Sequence, residues 1–180
     1  MTWTLDPSHG ELQITTGVTG PASAMGHRLT IAMTAWRATV TWEGDEPAAV
    51  DLTVDVDSLE VLRGDGGVKG LSGVEKALAR SNALKTLDAK RFPQIRFMAD
   101  HIVTAIDGGY QLNGSLEIHG TTQPRSVDLR VADQGSAWRM TCDVAVSHAD
   151  FGLKPYSLMM GAVKVADVVT VSFRAEHPKG

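Results

Sequence analysis

Along most of the chain, apolar and polar residues alternate with a period of two. Val50, Leu52, Val54 and Val56 alternate with Asp51, Thr53, Asp55 and Asp57. In an extended strand this spacing puts the apolar side chains on one face and the polar ones on the other. The same alternation returns over residues 95–99, 112–118, 127–131, 138–146 and 169–175. A longer run, 30–42, is apolar on both parities: Ile31, Met33 and Ala35 on one, Trp36, Ala38, Val40 and Trp42 on the other. Gly44-Asp45-Glu46-Pro47, Asp107-Gly108-Gly109 and Asp133-Gln134-Gly135-Ser136 separate these runs and read as hairpin turns. Strands joined this closely are expected to be antiparallel neighbours.

One stretch breaks the period. Gly64-Asp65-Gly66-Gly67 reads as a flexible loop, and Ser72 to about Leu87 as a helix. Ser72 caps its start, with Glu75 three residues on completing a capping box. Val74, Ala77, Leu78 and Leu84 approximate an apolar face. Lys85 suits the C-terminal end, and Pro93 prevents continuation. The pattern predicts a mainly β fold. We expect a single antiparallel β-barrel of about eight strands, one domain over residues 1–180, with a helical insertion at about 64–88. Closure would remove the exposed edges of such a sheet. A two-sheet sandwich has the same alternation, and periodicity alone does not separate the two.

Charge narrows the partners. Lys and Arg total 17 against 21 Asp and Glu, a formal net charge of -4, and the cations are scattered. No basic run points to nucleic acid. No segment approaches the ~18 consecutive apolar residues of a membrane span. Cys142 is the one cysteine, so no intrachain disulfide forms. That fits a reducing compartment. Residues 1–7 have neither a basic region nor an apolar run, and the expected location is cytoplasmic.

Candidate chemistry is sparse. The six histidines, His9, His27, His101, His119, His148 and His177, have no metal-ligand spacing, so neither a metal nor a cofactor is expected. Asp150-Phe151-Gly152 matches a kinase tripeptide, but no nucleotide loop or catalytic loop accompanies it, and it reads as a turn. Cys142 lies on the apolar parity of its strand and reads as a buried side chain. Ser8-His9 is adjacent in sequence, yet no nucleophile elbow exists.

Several motifs together resemble the YceI-like family. They are Trp3-x-Leu5-Asp6-Pro7-x-His9, Arg91-Phe92-Pro93-Gln94-Ile95-Arg96-Phe97, Leu116-Glu117-Ile118-His119-Gly120-Thr121-Thr122-Gln123-Pro124 and Asp150-Phe151-Gly152-Leu153. They occur in the family's order over nearly the whole chain. The resemblance implies a lipocalin-like barrel whose elongated pocket holds a polyisoprenoid or similar long-chain lipid, without catalysis, and a possible homodimer. The lumen would be lined by one parity of each strand. The candidates are Val54, Val56, Phe97, Leu112, Leu116, Trp138, Met140, Val169, Val171 and Phe173. Gly114 and Ala99 on the same parity suggest open space. Two other readings are a scaffold protein with a filled barrel and an enzyme using His9, His27 or His148 at the barrel mouth.

Overall fold

The computed structural model describes residues 1–180. In chain order the strands are β1 (Thr2–Leu5), β2 (Gly10–Thr15), β3 (Val18–Thr19), β4 (His27–Met33), β5 (Trp36–Glu43), β6 (Glu46–Asp55) and β7 (Leu59–Gly66). Helix α1 (Gly73–Thr86) follows, and then β8 (Gln94–Thr104), β9 (Tyr110–Ile118), β10 (Thr121–Asp133), β11 (Ala137–Ser147), β12 (Ser157–Leu158), β13 (Val163–Val165) and β14 (Val168–Pro178).

Eleven strands form one antiparallel sheet in the order β1-β5-β6-β8-β9-β10-β11-β14-β2-β4-β7. β12, β13 and β3 make a small second sheet. The large sheet curls into a half-barrel with β1 and β7 as its free edges. The expectation of about eight strands and a closed barrel is therefore corrected. The count rises because the run 30–42 breaks at a corner and because β1, β2 and β7 join the sheet from stretches without a clear alternating run. Residues 30–42 are not one strand: β4 stops at Met33 and β5 starts at Trp36. The break flips the parity. Ile31 and Met33 are buried before it, Trp36 and Ala38 after it. Both parities of this run are apolar because both point inward, on opposite sides of a corner. β6 and β7 repeat the device, with Val54 buried before the 3₁₀ turn Val56–Ser58 and Leu59 and Val61 after it.

The hairpin turns form as their residues require. At the β9–β10 turn His119 and Gly120 both have positive φ, 53° and 70°, as a tight two-residue hairpin needs. Gly120 has a second reason: a Cβ there would lie 2.6 Å from the Phe92 ring. Gly64-Asp65-Gly66, expected as loop, extends β7 instead and pairs with His27 to Leu29 of β4.

Ser72 caps α1 by accepting the Glu75 N–H at 3.2 Å. The packed face differs from the expected one. Val74 is 81% and Leu78 60% exposed, whereas Ala79, Ala83, Leu84 and Leu87 pack on the core. Arg80 fixes this orientation by donating to the carbonyls of Leu59 and Asp57, at 2.8 and 2.6 Å. Two specific charge-assisted bonds outweigh a loosely amphipathic pattern. The Asp150-Phe151-Gly152 turn buries Phe151 completely beside Ile118 and Val146.

Candidate functional site

The inward parity of the strands encloses a cavity of about 640 Å³. Of its 49 lining residues 39 are hydrophobic. It opens between α1 and the segment 153–165, where Leu78, Met25, Leu158 and Met159 lie on its wall and are largely exposed. Met159 and Met160 both have positive φ, and Met160 is fully exposed. Non-glycine residues rarely adopt that backbone conformation, so the lip is held in a costly shape. α1 is the one α-helix, and no helix is long and apolar enough to cross a membrane.

A second chamber of about 410 Å³ lies at the opposite, hairpin end. It shares Val40, Val50, Leu112, Leu129 and Met140 with the main cavity, so these residues form a belt between the two.

The structure places the ten sequence candidates as follows. Val54, Phe97, Leu112, Leu116, Met140, Val169, Val171 and Phe173 line the main cavity. Trp138 lines the hairpin-end chamber instead, with Met140 and Leu112 reaching both. Val56 lines neither: it is buried in the 3₁₀ turn after β6, past the corner where the strand's parity ends. Gly114 and Ala99 do not line the cavity. A Cβ on Gly114 would lie 1.8 Å from the Met98 carbonyl oxygen, so this glycine serves close strand approach rather than open space.

Sequence reasoning missed the polar wall. Arg125 of β10 shares the parity of Val127 and Leu129, and it lines the main cavity. Its Nη1 donates to the Ala145 carbonyl at 2.9 Å, and its Nη2 lies 4.0 Å from an Asp150 carboxylate oxygen. Its Nε–H is buried without a partner. The signal was a cation on the apolar parity of an alternating strand. Lys164, Ser147, His148 and His27 also reach this wall, and Glu75 is its one carboxylate. Two permanent cations against one carboxylate favour an anionic group in an otherwise apolar chamber.

The mouth is braced at Asp167. Its carboxylate accepts from the Ser147 hydroxyl at 2.5 Å and the Ala149 N–H at 2.9 Å. Its carbonyl meets the His148 ring Nδ1 at 2.6 Å. The Ser147 hydroxyl and then the Ala149 N–H hold the Asp167 carboxyl below the usual carboxylate range. A depressed folded-state pKa stabilises above the group's ordinary value and is lost as pH falls through the lowered one. Amide-exchange protection at Ala149 is therefore expected to be constant from pH 7 down to about 4 and to fall below that.

Two histidine arrangements touch on catalysis. Asp6, Ser8 and His9 cluster in the turn after β1. Ser8 Oγ lies 3.3 Å and Asp6 Oδ1 3.0 Å from the same ring atom, His9 Nδ1. A triad needs its carboxylate and nucleophile on opposite ring nitrogens. This cluster is a turn brace, and His9 does not line the cavity. His27 and His148 do line it, and each ties a ring nitrogen to a backbone carbonyl, of Lys69 and Asp167 respectively, at 2.6 Å. Cys142 lies deeper on the same wall. Burial, with Asp143 adding to it, pushes its thiol up to about 11. Thiol-reagent labelling at pH 8 is expected to be more than about a hundredfold slower in the native protein than in the unfolded chain.

The family model described as YceI-like domain matches residues 3–177. The chain belongs to the YceI-like family. Solved structures agree on the fold of this YceI-like chain. Burkholderia cenocepacia BcnA aligns with a TM-score of 0.71 at 19% identity, covering 93% of this chain and 96% of that one. The Campylobacter jejuni YCEI protein aligns with a TM-score of 0.61 at 14% identity, covering 83% and 84%. A mutant of that protein, with a monobromobimane guest, aligns with a TM-score of 0.62. No curated protein sequence matches the chain.

Proposed function

We propose that this YceI-like protein is a noncatalytic carrier of a long-chain lipid of the polyisoprenoid class. The tail lies in the main cavity and an anionic head group sits near Arg125, His148 and Lys164. The cavity of about 640 Å³ carries this reading. A protein that uses its barrel only as a scaffold has no reason to leave it unfilled. A hydrocarbon tail recovers roughly 0.8 kcal/mol per buried CH₂. YceI-like proteins are known as polyisoprenoid-binding proteins, which agrees with the chemistry of the wall. The single unpaired, half-buried Cys142 supports a reducing compartment such as the cytoplasm.

Displacement of the fluorescent probe N-phenyl-1-naphthylamine tests the reading. The delipidated protein should bind the probe, and farnesyl phosphate should displace it more completely than a short-chain phosphate ester. Failure of the probe to bind, or equal displacement by the short ester, would count against a lipid chamber.

A further inference from the structure

The hairpin-end chamber has a different chemistry from the main cavity. Three of the four tryptophans, Trp3, Trp42 and Trp138, line it, together with Tyr110. Trp3 and Trp42 tilt against each other at 52° with ring centroids 4.6 Å apart. Outside the wall, His177 stacks on Trp3 at 4.0 Å and Lys179 holds its ammonium 4.1 Å from the Trp138 ring centroid. These contacts back the rings from outside, and the Lys179 ammonium on Trp138 is itself paired with Asp133. The adjoining β5–β6 hairpin supplies three exposed carboxylates, Glu43, Asp45 and Glu46, and Asp45 lines the chamber itself. None of the three has an ion-pair partner in the molecule.

Electron-rich ring faces attract cations, and tryptophan does so most strongly. Unpaired carboxylates beside the opening raise the local concentration of positive charge. We infer that this chamber is a second binding site, specific for a compact organic cation such as a quaternary or aromatic ammonium. The site does not rest on the lipid reading: its aromatic rings and its carboxylates lie at the hairpin end, and only the five belt residues are shared with the main cavity. It is also opposite in sign: the main cavity presents Arg125 and Lys164, whereas this chamber presents Asp45. A volume of about 410 Å³ admits a ring with a small ammonium group.

The indole N–H signals in ¹H–¹⁵N spectra give a direct test, with phenyltrimethylammonium as probe and N,N-dimethylaniline at pH 8 as its neutral analogue. Trp36 is the internal control. It lines neither chamber and packs edge-on against Phe173 of the main cavity, with ring centroids 5.3 Å apart. Saturable shifts of Trp3, Trp42 and Trp138 with Trp36 unmoved are expected, with the cation binding at least fivefold tighter than the analogue. Trp42→Leu should weaken the cation about tenfold. Asp45→Asn, a surface change that leaves the rings in place, should weaken it about threefold. Shifts confined to Trp36, no shifts at all, equal binding of the neutral analogue, or unchanged affinity in Asp45→Asn would each overturn the assignment.

Discussion

Gly114→Val is expected to unfold the protein at temperatures where the parent is stable. Gly114 of β9 faces Ala99 of β8, beside a register shift between Ala99 and His101. An added Cβ would lie 1.8 Å from the Met98 carbonyl oxygen and 2.6 Å from the Ala99 Cα. Both neighbours are backbone atoms of a paired strand, so no side-chain rotation relieves the clash. The strands must separate, and the ladder that carries the inward faces of β8 and β9 opens with them. The loss should exceed about 4 kcal/mol, within the range of severe backbone and packing lesions. Gly10 repeats the arrangement against Ala175, where a Cβ would meet the Arg174 carbonyl oxygen at 2.0 Å. Urea unfolding of Gly114→Ala and Gly114→Val checks the argument. A stable Gly114→Val protein with parental midpoint would contradict it.

Arg125→Leu is expected to have the opposite profile: a large effect on binding and little on stability. Removing Arg125 deletes the guanidinium whose Nε–H is buried and unpartnered. A hydrogen bond from a charged donor contributes about 1.5–3 kcal/mol, so affinity for hexadecanoate should fall about 10- to 100-fold. Affinity for 1-hexadecanol should change little, because the apolar wall stays in place. The melting temperature should change little: the 4.0 Å pair with the exposed Asp150 is weak, and the cation's desolvation cost is shed together with its bond to the Ala145 carbonyl. Equal loss for both probes, or a lower melting temperature, would mark Arg125 as structural, acting through its bond to the Ala145 carbonyl.

Much of this fold was legible in the alternation itself. The strand cores at 50–54, 95–99, 112–118, 127–131, 138–146 and 169–175 all fall within strands of the large sheet. Ser72 marked the start of α1 because an N-cap is a local interaction. Corners were harder to read. A parity flip between Met33 and Trp36 looks in sequence like a strand with two apolar faces, and only the curled sheet turns both inward. The same cause misplaced Val56, whose row ends one residue too soon. The exposed Val74 and Leu78 were misread because the orientation of α1 is set by Arg80 and distant carbonyls, which no local pattern reveals. Arg125 was legible in principle. It continues the inward parity of Val127 and Leu129, and a cation there is an exception that only function or a buried partner explains.

If the main cavity is a lipid chamber, the purified protein carries its occupant, and mass spectrometry of an organic extract reads it. One dominant long-chain amphiphile with an acidic head group is expected, near one per protein molecule and depleted in Arg125→Leu. An extract free of any such lipid, from a protein whose cavity stays empty when offered farnesyl phosphate, would contradict it.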